Sequence, residues 1–360
     1  MDNIFEKSVN KILNAIDTSS MFQNLQPKLA VKISSLVNED VLVLISIISL
    51  ADRLSRSSEG IESVNSMTLT KSNKKLVRKF HAFFCKHDVT FSNLLNNNID
   101  KTIINCLIEQ NLISTIEFNC ISKYWTRLLR IFHYAHLKNV HVMIDGEQSY
   151  FQHGINGISL NLMEIFNKGE PFSCDDLIIQ DIKYSKEKNF TFAVKLVRGA
   201  YMNKENKRCN KLKIPSPFQN SYEETSNCFQ NCTDICIENM NKLDNGLHVM
   251  FATHNEESIL YAIEQMKKID TSLQENISFG QLMGMCDYIT LTLAKENYKT
   301  YKYIPFGLVD EVMPYLIRRI QENSDVLKNV GKEITMIKSE LQRRTIYRLS
   351  TQKLFKSDGI

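Results

Sequence analysis

The sequence predicts an α/β fold of the (β/α)8, TIM-like barrel type, and two observations carry that prediction. Strand-like segments recur with helical stretches between them: VHVMID (140–145), FTFAVKLVRG (190–199), LHVMFAT (247–253), ISFGQ (277–281) and TYKYI (300–304). Alternating βα units of this kind form a parallel sheet with helices outside. The polar residues that stand out fall at the C-terminal ends of these segments, where a barrel of this type builds its site. No GxGxxG, P-loop lysine or GxSxG is present, so a Rossmann domain, a P-loop and a serine-hydrolase elbow lack their fingerprints.

The bulk properties agree with such a fold. A chain of 360 residues holds one large α/β domain, and we read 1–360 as a single domain. Apolar and charged fractions of 43% and 23% are those of a soluble globular protein. A net charge of +4 over this length is too small to argue for a nucleic-acid partner, and none is expected. Nine cysteines without a CxxC pair point to a reducing compartment and to no metal site. The longest apolar run, Val41 to Leu50, falls well short of a membrane span. The N-terminal MDNIFEKSVNKILNAI carries Asp2, Glu6 and no arginine, which argues against a secretory signal or a mitochondrial presequence.

Taken in order, a helical period from Ile4 to Ile16 leads past Pro27 into a first strand, LAVKISSL, residues 29–36. Alternation sets Lys32 on one side with Ala30 and Ser34, and Val31 and Ile33 on the other. Two readings of Lys32 stand: a cation among small neighbours inside a barrel, or an edge lysine in water. Val41 to Leu54 reads as a buried helix after the cap-like Asn38-Glu39-Asp40. From 55 to 125 the texture turns to Ser, Asn and Lys with scattered amphipathic pieces, a helical insertion after the first strand. Its basic run 71–79 reads as a solvated helix face.

VHVMIDGEQSYFQ ends a strand in Asp145, a carboxylate that is either functional or a loop cap. In FAVKLVRGAYM, Lys195 alternates with Ala193 and Val197, and Arg198-Gly199-Ala200-Tyr201 leaves the strand through a small-residue turn. FATHNEES places Thr253 and His254 at a strand end, with Asn255 able to cap the next helix. A lone histidine there is either structural or functional. FGQLMGMCD offers Gln281 in the same position. Cys228, Cys232 and Cys236 form one helix stripe, read as core-facing.

The stretch from Thr300 to Asn323 reads as a strand, a Pro-Phe-Gly turn and a helix. Tyr315, Arg318, Arg319 and Glu322 share one helix face, and Met313, Leu316, Ile317 and Ile320 are expected to pack on the opposite side. Adjacent arginines either pair with Glu322 along a wet face or grip a carboxylate with forked hydrogen bonds.

AVKISSL, MIDGEQSYFQ, KLVRGAYM, ATHNEES, FGQLMGMCD and YKYIPFG followed by YLIRR together resemble the proline dehydrogenase (proline oxidase) family, in its eukaryotic branch. The resemblance runs in order from Lys32 to the QENSDVL region. It implies a distorted (β/α)8 barrel that binds FAD without a Rossmann motif and carries a helical insertion after its first strand. Lys32, Tyr201, Tyr303, Tyr315, Arg318 and Arg319 match the family's proline-binding positions. Asp145 matches a carboxylate at the flavin and substrate site, and Lys195, Thr253, His254, Gln281, Arg319 and Glu322 match positions around the flavin. The implied catalytic set is Asp145, Lys195, Tyr303, Arg318 and Arg319. Lys195 corresponds to a residue near flavin N5.

The implied reaction is oxidation of L-proline to 1-pyrroline-5-carboxylate, with electrons passed to a quinone, in the mitochondrion. Hydroxyproline dehydrogenases tend to carry a small residue in place of Tyr303, which favours proline over hydroxyproline here. One departure stands out: between Asn167 and Phe190 the family has a further strand ending in Tyr-Gln, and nothing in this stretch spells it. We therefore expect a barrel with one strand missing, and a remnant of the family that retains no flavin is the alternative outcome. The segment from Glu333 to Lys356 mixes Ile334, Ile337, Leu341 and Leu349 with Lys338, Arg343, Arg344, Arg348 and Lys353. It suits peripheral contact with an anionic membrane or docking on the barrel.

Overall fold

The structure is a computed structural model that describes residues 2–345 except 23, 25, 57–59, 66, 97–99, 168–171, 174–177, 244, 245, 306, 323–330, 332 and 333. The chain divides into two compact units, one of Met1–Phe251 with Leu260–Ile277 and one of Ala252–Ile259 with Ser278–Ile360.

The larger unit begins with α1 (Asp2–Ser20), β1 (Lys28–Val31) and α2 (Glu39–Arg56). The apolar run read as a buried helix is α2, and twelve of its side chains are buried, because it is apolar on nearly every face. It packs between α3 (Lys71–His87) and a later helix, α7. Two short helices follow, α4 (Phe91–Leu95) and α5 (Lys101–Glu109), and then the long α6 (Thr115–Leu137). Capping boxes start α4 at Thr90 with Asn93 and α6 at Ser114 with Glu117. The described residues from Lys71 to Leu137 are mostly helical, and α6 runs on past residue 125. Its Tyr124 and Trp125 share one core with Phe80, Phe84, Phe91 and the apolar side chains of α2.

β2 (His141–Ile144) leads into α7 (Ser149–Phe166). Gly154 lets α7 lie against α2: a Cβ there would sit 2.9 Å from the Ser46 backbone nitrogen. Next come β3 (Phe172–Ser173), α8 (Ile178–Lys188), β4 (Phe192–Val197), α9 (Met202–Leu212), α10 (Tyr222–Met240) and β5 (Leu247–Ala252). β1 pairs in parallel with β2, from Lys28 opposite His141 to Val31 opposite Ile144. β3 pairs in parallel with β4 over two positions, and β4 neighbours β5.

The chain continues with α11 (Glu256–Met266), α12 (Thr271–Gln274), β6 (Ile277–Leu282), α13 (Asp287–Lys295), β7 (Thr300–Tyr303) and α14 (Val309–Glu322). In the smaller unit β6 and β7 are parallel, Phe279 opposite Thr300 through Leu282 opposite Tyr303. Residues 334–345 are helical. Among the described residues no helix is long and apolar enough to cross a membrane.

Three expectations change. The first strand stops at Val31 rather than running to 36, and Ile33–Leu36 is a 3-10 turn. Serine side chains compete with the ladder there: the Ser35 backbone and hydroxyl both donate to Lys32 O. Between Asn167 and Phe190 the chain contributes β3, a strand of two residues, where none was legible. Among the described residues β2 and β3 lie near each other without a hydrogen-bonded ladder, so the sheet is interrupted there. Finally, Met313 and Ile317 of α14, expected to pack, are 46% and 48% exposed, while Tyr315 and Arg319 are half-buried. The tyrosine face is the one turned to β7.

Candidate active site

In the larger unit the site grows from the ends of β1, β2 and β4. Parallel pairing carries one step past the strands, because Asp145 N donates to Val31 O at 3.0 Å. That bond puts Lys32 and Asp145 side by side. Lys195 reaches the same carboxylate from β4, its ammonium donating to Asp145 Oδ1 at 2.7 Å, with both side chains under one-fifth exposed. The Lys32 ammonium stands 3.8 Å from the other oxygen, Oδ2. It also donates to the Tyr201 hydroxyl and lies 5.1 Å from the centre of that ring. Two ammoniums thus share the Asp145 carboxylate, and the Glu147 carboxylate also acts on Lys32. Burial opposes the charge on Lys32, but Asp145 and Tyr201 outweigh it and hold its pKa above the ordinary value.

Tyr201 is placed by an unusual backbone. It has φ 64°, two residues after Gly199 at φ 67°. A left-handed tyrosine is uncommon, and such conformations concentrate at functional sites. The turn swings the chain from β4 back over Lys32. Three side chains that sequence reasoning passed over complete the surroundings. Glu147 accepts from Ser34, and Gln148 Oε1 is buried with no hydrogen-bond partner among the described residues. Glu205, itself buried, accepts from Ser149 N at the start of α7. Only the MIDGEQS wording carried a signal for the first two.

In the smaller unit Thr253 and His254 follow β5. Thr253 Oγ1 accepts from Asn255 N at 3.1 Å, and Asn255 caps α11 by accepting from Ser258 N at 2.8 Å. His254 Nε2 accepts from Leu282 N at 2.9 Å, so its ring proton resides on Nδ1. Burial, and then the Lys302 charge, push the imidazole down to about 4, and it is neutral. Gln281 is buried; its oxygen accepts from Thr290 at 2.9 Å and its nitrogen donates to Thr253 O at 3.4 Å. Lys302, which the sequence did not single out, donates to Leu282 O and Met285 O and pairs with Asp287 at 2.6 Å. It fastens the turn after β6.

Tyr303 and Tyr315 approach with ring centroids 6.0 Å apart, and the Arg319 guanidinium lies 5.2 Å over the Tyr315 ring. Arg318 is exposed. The side chain of Glu322 and the QENSDVL stretch from residue 323 on lie outside the described residues. The structure thus gathers Lys32, Asp145, Lys195 and Tyr201 in one group. It brings Thr253, His254 and Gln281 into another, and Tyr303, Tyr315 and Arg319 into a third.

Parallel strand pairs, helices after the strands, and ionised and hydrogen-bonding side chains collected where the strands end define a (β/α)-barrel type of enzyme fold. Comparison with solved structures agrees: proline utilization A from Bdellovibrio bacteriovorus, inactivated by N-propargylglycine, superposes with a TM-score of 0.59 at 16% identity. The match covers 91% of this chain and 28% of that one. Proline utilization A from Bradyrhizobium japonicum gives 0.59 at 17% identity, over 90% of this chain and 27% of that one.

The family model for proline dehydrogenase matches residues 2–332, and the chain belongs to that family. Among curated relatives, mitochondrial proline dehydrogenase 1 of Drosophila melanogaster is 39% identical over 57% of this chain and 33% of its own length. Hydroxyproline dehydrogenase of Xenopus laevis is 36% identical over 61% of this chain and 49% of its own length. The chain therefore spans between a third and a half of these relatives.

Proposed function

We propose that this protein oxidises L-proline to 1-pyrroline-5-carboxylate with FAD as its cofactor. The observation that carries the reading is the Lys195–Asp145–Lys32–Tyr201 group at the strand ends, in a chain of this family. The residues present fit a flavin nucleotide. Lys195 spends one N–H on Asp145 and has others to offer. His254 is neutral with a donor on Nδ1, and Gln148 Oε1 is a buried acceptor in want of a donor. Among the described residues, chain neighbours aside, no atom lies within 4 Å of where a Cβ would stand on Gly199 or Gly284.

In this reading Lys195, Asp145, Thr253, His254, Gln281, Arg319 and Glu322 hold the flavin. FAD, when bound, supplies a two-electron acceptor for a hydride from the proline ring carbon next to nitrogen, with a quinone taking the electrons afterwards. The side chains bind and orient. Arg318 and Arg319 take the substrate carboxylate with charge-assisted hydrogen bonds. Lys32 adds positive charge and, by donating to Tyr201 Oη, leaves the tyrosine proton to be donated elsewhere. Tyr303 and Tyr315 form an aromatic wall for the ring. Asp145 keeps two ammoniums in place that would otherwise repel each other.

A hydroxyproline substrate is the second reading, favoured by the relatives of that activity. Tyr303, already in contact with Tyr315, supports proline because its phenol takes up room a ring hydroxyl needs. The relatives' names support a mitochondrial location. The helix 334–345 supports membrane contact: Ile334, Ile337 and Leu341 are exposed along one stripe, with Lys338 and Arg344 on its flanks. Residues 346–360, including Arg348 and Lys353, lie outside the described residues.

A flavin absorption spectrum of the purified protein, bleached by L-proline and not by trans-4-hydroxy-L-proline, is the expected result. Bleaching by hydroxyproline alone selects the second reading, and a colourless protein that takes up no added FAD identifies a remnant without catalysis. Liposomes containing anionic lipid should retain the full chain and release one cut after residue 335.

A further inference from the structure

Lys32 is not held by its strand. β1 ends at Val31, and Lys32 stands at the entrance of the 3-10 turn Ile33–Leu36 with extended φ −91° and ψ 105°. Its side chain is 43% exposed, against 18% for Lys195. A long, flexible ammonium on a short turn has many places to go. Something must fix the turn if Lys32 is to stay beside Asp145 and Tyr201.

The clasp lies two residues further along both segments, at Ser34 and Glu147. The Ser34 hydroxyl donates to Glu147 Oε2 at 2.8 Å, and the Ser34 backbone N–H donates to Glu147 Oε1 at 3.3 Å. Lys32 and Asp145 are likewise side by side, so the β1–β2 register is continued by side chains after the ladder stops. Glu147 is itself anchored, since its backbone N–H donates to Gln152 Oε1 at 3.1 Å and the Gln152 amide donates to Asn156. From the other side Tyr124, fully buried, donates to Ile33 O at 3.2 Å, and Arg127 donates to Leu36 O at 3.3 Å. A carboxylate that accepts two bonds from one serine grips the turn where a single bond would let it pivot.

We propose that Glu147 is a positioning residue for Lys32: through its two bonds to Ser34 it sets the turn that carries the Lys32 ammonium to Asp145 and Tyr201. That Lys32 then serves a substrate carboxylate rests on the functional reading above. The clasp does not, and it is tested separately.

The first measurement is trace acylation with acetic anhydride, reading Lys32 against the exposed Lys183 by mass spectrometry. Ser34→Ala and Glu147→Ala should each raise relative Lys32 labelling about threefold to tenfold, the scale of one lost hydrogen bond. Glu147→Gln keeps an acceptor for the Ser34 N–H and a partner for its hydroxyl, and should return labelling close to wild type. Unchanged Lys32 labelling in both alanine variants overturns the proposal. So does an equal rise at Lys195, which would mean general loosening.

The second measurement is proline-dependent dye reduction. Glu147→Ala should lower kcat/KM about fivefold or more in wild type and less than about twofold in a Lys32→Met background. Equal losses in both backgrounds overturn the positioning role. A wild-type protein without proline activity overturns the functional reading alone, since labelling still decides the clasp.

Discussion

Asp145 receives the Lys195 ammonium on one carboxylate oxygen at 2.7 Å and faces the Lys32 ammonium on the other at 3.8 Å. Lys195 stands in β4, Lys32 just past the end of β1 and Asp145 just past the end of β2. Neither lysine is near the other in sequence, and their common partner lets two ammoniums share a half-buried place. Removing the charge of Asp145 leaves two like charges facing each other, whereas removing either lysine leaves the carboxylate one partner.

That asymmetry orders a mutant series. Lys195→Met should destabilise the fold by about 1–2 kcal/mol, because Lys32 remains, and Asp145→Asn by about 2–3 kcal/mol. Urea denaturation at neutral pH measures both. Activity should fall further than stability in each case, and a Lys195→Met protein with wild-type turnover would remove Lys195 from the catalytic set.

Arg318→Met and Arg319→Met should each weaken proline use by roughly 1.5–3 kcal/mol, the worth of a charge-assisted bond. The loss should appear mainly in KM if the grip is equal in ground and transition states. Arg319 also covers the Tyr315 ring, so its variant should lower the melting temperature slightly where Arg318→Met does not. Unchanged proline kinetics in both variants return this helix face to solvent.

His254 makes stability depend on pH. Its folded pKa of about 4 lies below the ordinary 6.5, so above pH 6.5 the ring is neutral in both states and its contribution is complete. As pH falls from 6.5 towards 4 the unfolded chain takes up a proton that the folded one refuses, and about 2–3 kcal/mol is lost. His254→Gln keeps an acceptor for Leu282 N–H without the titration, and should show a shallower fall. The buried Asp181, raised to about 6 by desolvation despite Arg53, works in the opposite sense. The difference between wild type and variant across pH 4 to 7 isolates His254.

The missing β2–β3 ladder among the described residues predicts an engineered gain. Inserting about four strand-forming residues after Ser173, towards usual strand length, should add backbone pairs to the ladder. We expect a melting temperature higher by about 2–4 °C and slower loss of flavin on dialysis. Equal values in both proteins would show that the two-residue strand closes the wall unaided.

The sequence by itself determined the parallel α/β class and five of the strands to within a few residues, and its wording set up the expectation that Lys32, Asp145, Lys195 and Tyr201 serve one site. Period-two apolar runs and strand-end polar residues are local signals, readable without neighbours. Tertiary structure helped decide where β1 stops: besides the local Ser35 bonds to Lys32 O, Glu147 takes the Ser34 N–H from 113 residues away and Tyr124 the Ile33 carbonyl from 91. It also decided which face of α14 is covered: the helical wheel offered an apolar side, yet Tyr315 packs on Tyr303 and leaves Met313 and Ile317 in solvent. β3 was invisible for the same reason. A strand of two residues has no period to read, and only its register against Phe192 and Ala193 makes it one.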